Sequence, residues 1–128
     1  MDPPCLLELL KQALPLILDS PGKETLVLPE LSKVEINIVP DETIAKVHGE
    51  FMDDPTPTDV ITFHHGEIFV SSDMARSKAA ENNLSPREEI LLYMIHGLLH
   101  LNGHVDNALP ERTKMHQIQD SILAKVLG

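Results

Sequence analysis

Ser85-Pro86-Arg87-Glu88 opens, and His96-Gly97-Leu98-Leu99-His100-Leu101-Asn102-Gly103-His104-Val105-Asp106 closes, the stretch around which the rest of the chain is organised. The first four residues have the form of a capping box, with Ser85 at the helix entrance, Glu88 three residues on and Pro86 at the first helical position. The near-continuous apolar run from Ile90 to Leu101 predicts a central, buried helix, which Gly103 ends. Residues four apart share a helix face, so His96 and His100 present imidazole nitrogens to one point. Two ligands do not make a site. Gly103 lets the chain fold back, and either His104 or Asp106 then supplies a third ligand from the loop. Three protein ligands with a fourth position open to water is the arrangement of catalytic rather than structural zinc. A zincin peptidase carries its general-base Glu directly after the first His; Gly97 stands there, so ordinary zincin chemistry lacks its base. The glycine instead opens room beside the metal for close approach of a bulky substrate or another strand.

Working outward, Val34, Ile36 and Ile38 alternate with Glu35 and Asn37, which predicts a strand over Lys33 to Val39 with one solvated face. Pro40-Asp41 stops it, and Asp41 caps a short helix through about Glu50 with Ile44, Val47 and Phe51 along one side. After the breaker cluster Asp53 to Thr58, residues 59–63 and 67–71 predict two strands pairing as a hairpin around His64-His65-Gly66. Ser72 or Asp73 caps a helix that fades by Asn82-Asn83. A last helix from about Pro110 to Leu127 places Met115, Ile118, Ile122 and Val126 on one face. At the other end, Pro3-Pro4 opens a helix with Leu6, Leu7, Leu10 and Leu14 on its apolar face, which Pro15 kinks or ends.

At 128 residues the chain predicts one domain, 1–128, large enough for a core and too short for two. Its longest apolar-rich stretch, Cys5 to Leu18, is broken by Glu8, Lys11 and Pro15, which excludes a membrane span. Met1-Asp2-Pro3-Pro4 lacks a basic leader, so the expected compartment is the cytoplasm. Cys5 is the only cysteine, which excludes a multi-cysteine metal site and predicts no disulfide-linked partner; any metal is held by His and carboxylates. Twenty acidic against ten basic side chains leave a net charge of -10, and a field of that sign opposes indiscriminate nucleic-acid binding. A local basic groove or a bound cation is then required to admit a phosphate.

His96, Gly97, Leu99, His100, Leu101 and Gly103 match the pattern H-G-x-L-H-L-x-G-x-x-H, and in this the chain resembles the YbeY-type rRNA maturation factors, single-strand endoribonucleases. Pro57-Thr58-Asp59-Val60-Ile61-Thr62-Phe63 is similar to that family's P-T-D-V-L-S-F strand, and Gly66-Glu67-Ile68 to its G-D-I segment after a shortened loop. Together the matches span roughly residues 34 to 127 in order. The resemblance implies an α+β fold, a small mixed sheet packed with helices, and a central metal-binding helix. It also implies one zinc ion and a ribosome-linked function, with rRNA or a ribosomal particle as partner. The family's third histidine falls at Asp106, so the resemblance carries the metal to His96, His100 and Asp106. Its arginine before P-T-D-V falls near Met52, where no phosphate-pairing group stands.

The remaining polar residues have plainer expectations. His104 is an exposed or supporting loop side chain if Asp106 is the ligand. His64 and His65 face solvent in the hairpin turn, Asp59 binds backbone amides at a strand start, and His48 and His116 are solvated helix positions. Met74, Met94 and Met115 fill the core. Arg76, Lys78, Arg87, Arg112 and Lys114 are the only nearby cations for a phosphate. The chain thus reads as a zinc-dependent single-strand endoribonuclease of rRNA maturation; the alternatives are hydrolysis of a non-RNA substrate on the same metal, or a ribosome-associated binding module with a structural metal. No catalytic base is assigned.

Overall fold

The structure, a computed structural model, describes residues 5–128. In order these form α1 (Leu6–Leu18), β1 (Glu35–Val39), α2 (Asp41–Met52), β2 (Val60–Phe63), β3 (Glu67–Ser71), α3 (Ser72–Lys78), α4 (Pro86–Leu101) and α5 (Leu109–Leu127), with 3-10 turns at Leu28–Glu30 and Ala79–Asn82. The architecture is α+β with a small mixed sheet, as expected. β3 lies at the centre, parallel to β1 and antiparallel to β2, and the expected hairpin brings Phe63 opposite Glu67.

α4 is central because its sequence leaves no polar face. Leu91, Ile95, Leu99 and Leu101 are without exposure, and α1, α3, α5, β2 and β3 all pack on it. Its entrance is the capping box read from the sequence: Ser85 Oγ accepts from the Glu88 amide at 3.1 Å, and Glu88 Oε1 accepts from the Ser85 amide at 2.9 Å. At Gly97 the space goes to a strand rather than to a substrate, since Ile68 of β3 and Thr62 of β2 sit against the bare Cα.

Four local expectations are corrected. α1 buries Leu9, Ala13 and Ile17, whereas Leu7 and Leu14 are exposed; small Ala13 at the centre of that stripe is what permits close packing. Pro15 does not end α1, which continues to Leu18, because full burial of Ile17 offsets the one lost amide donor. The caps shift by one residue: Ser71, not Ser72 or Asp73, accepts from the Met74 amide, and the Asp41 amide at the start of α2 donates to Asp73 Oδ2 at 2.8 Å. On β1, an edge strand, Ile36 packs on the core but Ile38 is exposed. The Pro3-Pro4 start expected for α1, and the leader reading of Met1 to Pro4, lie outside the described residues.

Between α1 and β1 the chain runs back along the last turn of α4. The Val27 amide donates to the Leu101 carbonyl at 2.9 Å, the Gly22 amide to Asn102 at 2.9 Å and the Glu24 amide to Gly103 at 3.0 Å. Helix-end carbonyls without intrahelical partners are thereby satisfied by a second segment. Asn102 Nδ2 adds a bond to the Ile17 carbonyl at 2.8 Å. The approach is so close that a Cβ on Gly22 would collide with the Gly103 carbonyl.

Gly97→Ala tests the helix-to-sheet contact. The new Cβ would stand 3.0 Å from both Ile68 Cγ2 and Thr62 Oγ1. Alanine raises helix propensity by about 1 kcal/mol, while overpacking costs about 1–3 kcal/mol. Ile68 is fully buried and has nowhere to swing, so we expect a net destabilisation of about 1–2 kcal/mol in denaturant unfolding. An unchanged or higher midpoint would mean that the sheet yields freely.

Candidate metal centre

One turn apart on the buried helix, His96 and His100 turn their Nε2 atoms toward each other at 3.1 Å. Asp106 Oδ2 completes a triangle, 3.4 Å from His96 Nε2 and 3.5 Å from His100 Nε2. The proton positions follow from the outer partners. His100 Nδ1 lies 3.0 Å from the His104 carbonyl, which only accepts, so Nδ1–H donates. His96 Nδ1 lies 2.7 Å from Gln119 Oε1, and by the same logic donates. In their neutral forms both rings therefore aim unprotonated Nε2 lone pairs at the carboxylate oxygen and at each other. Three acceptors converging without a donor repel unless a cation lies among them.

The spacing fits a metal. Ligand atoms roughly 2.0–2.1 Å from a tetrahedral zinc are about 3.3–3.4 Å apart, close to the three separations in this triangle. His96, His100 and Asp106 thus form a group able to hold one ion. Burial, then the neighbouring His96, lower the pKa of His100 below 6.5, against the opposing pull of Asp106. Its ring stays neutral, and competent as a ligand, further into acid than a free imidazole does.

His104 belongs to the support rather than to the triangle. It is buried, not exposed, and its Nε2–H donates to the Ser20 carbonyl at 2.6 Å, which commits the ring to the α1 side. Only its backbone carbonyl serves the site, by orienting His100. Two further supports escaped the sequence reading. Gln119 is buried on α5, four residues after Met115 and within its apolar face; a lone amide there was the available signal. Arg112 Nε donates to the Asp106 carbonyl at 3.2 Å, steadying the loop that delivers the carboxylate, whereas the sequence offered it only as a cation for a phosphate.

The triangle opens into a cleft of about 820 Å³. Asp59, at its edge, accepts from the Val60 amide at 2.8 Å, as expected for a strand start. His64 is exposed and lines the cleft, while exposed His65 bonds Glu67 at 3.1 Å and stacks on Phe63. Exposed His116 matches its expectation; His48 does not, being half-buried with Nδ1 2.9 Å from the Thr56 carbonyl. Met94 and Met115 are core residues and Met74 packs, partly buried, against the core cluster. Met52 lines the cleft where a phosphate-pairing arginine was missed, and no Lys or Arg among the described residues lines it either. Of the expected cations, Arg76 pairs with Asp73 and Lys78 lines a different cavity beyond His96.

Residues 6–127 match the family model described as Endoribonuclease YbeY. Over 105 residues the chain is 38% identical to an Endoribonuclease YbeY of Rhodopirellula baltica, covering 74% of this chain and 54% of that one. Over 102 residues it is 39% identical to an Endoribonuclease YbeY of Protochlamydia amoebophila, covering 70% and 68%. The chain thus spans about half the length of the first relative and about two thirds of the second. A Thermotoga maritima protein solved in solution superposes with a TM-score of 0.59 at 30% identity, covering 94% of this chain and 81% of that chain.

Asp106→Ala and His104→Ala should fail in different ways. The first is expected to lower Zn²⁺ affinity in a competition titration while leaving the melting temperature of the metal-free protein nearly unchanged. The second should lower that melting temperature, because the Ser20 carbonyl loses its donor, and reduce affinity much less; reversed affinities would make His104 the ligand. Because the His100 pKa is depressed, Zn²⁺ affinity should hold from pH 8 to about 6.5 and weaken only below that. Loss of affinity already above pH 7 would contradict this assignment.

Proposed function

The chain belongs to the Endoribonuclease YbeY family, and from that premise we propose that it is a zinc-dependent endoribonuclease cleaving single-stranded RNA during rRNA maturation. The observation that carries this reading is the triangle of His96, His100 and Asp106 at the floor of an open cleft, with no fourth protein ligand among the described residues. Two imidazoles and one carboxylate suit zinc among the common divalent ions. The reading extends to a single catalytic domain over residues 1–128, working in the cytoplasm with rRNA or a ribosomal particle as partner. No helix of the described residues is long and apolar enough to cross a membrane.

An ion held here supplies Lewis acidity to a phosphoryl oxygen and to water. The chain supplies the rest. Gln119 and the His104 carbonyl hold the two rings in one tautomer and one orientation, Arg112 holds the loop of Asp106, and the β2 edge walls the cleft beside them. Since Gly97 leaves no carboxylate beside His96, the proton transfers fall to cleft residues outside the triangle.

A second reading is favoured by charge: with Glu24, Asp59 and Asp106 lining the cleft, an uncharged substrate meets less repulsion than RNA does. The test separates them. Zn²⁺-loaded protein should cleave naked single-stranded RNA slowly and ribosomal particles faster, with strong salt sensitivity and complete loss in chelator or in His96→Ala. Equal cleavage by His96→Ala would identify a contaminating nuclease. Absence of metal-dependent cleavage of both RNAs, together with turnover of an amide or ester library, would replace RNA by the uncharged substrate.

A further inference from the structure

Phosphodiester cleavage needs a proton for the ester oxygen that leaves, and the triangle has none to give. Both of its rings spend their only N–H on Gln119 and on the His104 carbonyl, and Asp106 is an acceptor. His104 lines the cleft as well, but its ring is committed to Ser20. The titratable groups that remain on the cleft wall are Glu24, Asp59 and His64. Two of these are carboxylates, and Asp59 is held by the Val60 amide. His64 is the one imidazole left.

Its placement differs from that of its neighbour. His65 is bonded to Glu67 and stacked on Phe63, whereas the His64 ring has no hydrogen-bond partner among the described residues and stands at the cleft wall in the turn between β2 and β3. β2 lies directly against α4 at Gly97, so this turn is carried by the element that walls the metal-binding helix. The titratable groups that line the same cleft as His64 are Glu24, Asp59, Asp106, His96, His100 and His104, and on its own hairpin stand His65 and Glu67. With no Lys or Arg there among the described residues, a protonated imidazole is also the cleft's one side-chain cation for a phosphate.

We propose that His64 is a catalytic residue of this cleft, binding the RNA phosphodiester and protonating its leaving oxygen; this rests on the nuclease reading above. Water attacks phosphorus, forming one P–O bond as the P–O bond to the leaving nucleoside breaks. The bonding pair of the broken bond stays on that oxygen, which takes the His64 N–H proton. The attacking water gives a proton to solvent, and the imidazole takes one back from solvent, so the sum is addition of one water across the ester. An imidazole suits the task because it exchanges protons near neutral pH.

Single-turnover cleavage of a short single-stranded RNA by Zn²⁺-loaded protein provides the test, with His64→Ala, His64→Lys and His65→Ala compared. His64 is exposed, so its variants should fold and keep full zinc content. We expect His64→Ala to lose about 10²–10⁴-fold in rate and to lose the alkaline fall of the wild-type pH profile, while His65→Ala stays at the wild-type rate. His64→Lys should restore RNA affinity without restoring the rate. The decisive arm replaces the bridging 5′ or 3′ ester oxygen by sulfur, a leaving atom that needs no proton. His64→Ala should cleave one of these substrates within about tenfold of wild type. An equal deficit on oxygen and sulfur substrates, or an unchanged rate on RNA, overturns the role of His64 with the nuclease reading intact. Failure of the wild-type protein to cleave overturns both.

Discussion

The last turn of α4 holds the site together through its backbone carbonyls. A helix ending in the protein interior leaves acceptors that water cannot reach, and here Leu101, Asn102 and Gly103 are satisfied by the amides of Val27, Gly22 and Glu24. The pairing fixes where the chain leaves the helix. From that exit, with Gly103 at a φ of 92°, the backbone turns back so that the His104 carbonyl meets His100 and Asp106 reaches both rings. Asn102 and His104 reinforce the exit by donating to the Ile17 and Ser20 carbonyls. α1 and the segment after it are therefore part of the site's scaffold, although neither contributes a ligand.

That arrangement sets acceptor against acceptor. The hydrogen bonds to Gln119 and to the His104 carbonyl stabilise the very tautomers that leave two Nε2 lone pairs opposed at 3.1 Å. In a site built only for packing, one ring would turn to donate to the other or to Asp106. Here the outer partners prevent it, and an ion held among the three atoms would relieve the repulsion. The burial that lowers the pKa of His100 disfavours a proton on that ring, whereas a divalent ion would carry twice the charge and draw on three ligands together.

What could be read in the sequence is what depends on near neighbours. The Ser85–Glu88 box, the His96/His100 pair, the hairpin and the turn at Gly103 are each decided within a few residues, and each stands as read. What could not be read depends on partners distant in sequence. Leu6, Leu7, Leu10 and Leu14 make as good a stripe on paper as Leu9, Ala13 and Ile17, and only the surface of α4 decides between them. His104 and Asp106 were open to choice on spacing alone. The family resemblance chose Asp106; in the structure the His104 ring is taken up by a carbonyl 84 residues upstream. Gln119 and Arg112 lay beyond reach because each acts on a residue of another element.

Charge gives the site its remaining character. An overall charge of -10, with Glu24, Asp59 and Asp106 around the opening, makes the cleft by itself a poor place for a phosphate. A divalent ion held on Asp106 would reverse the sign there, an effect confined to about a Debye length, roughly 8 Å. Beyond that distance the acidic surface again repels a long polyanion. On the proposed nuclease reading, an RNA segment whose remaining backbone charge is shielded would enter this cleft more readily than free RNA. In such a molecule selectivity for context need not come from base contacts: the contrast between a small positive centre and a negative surface discriminates by how much of the substrate's charge is exposed.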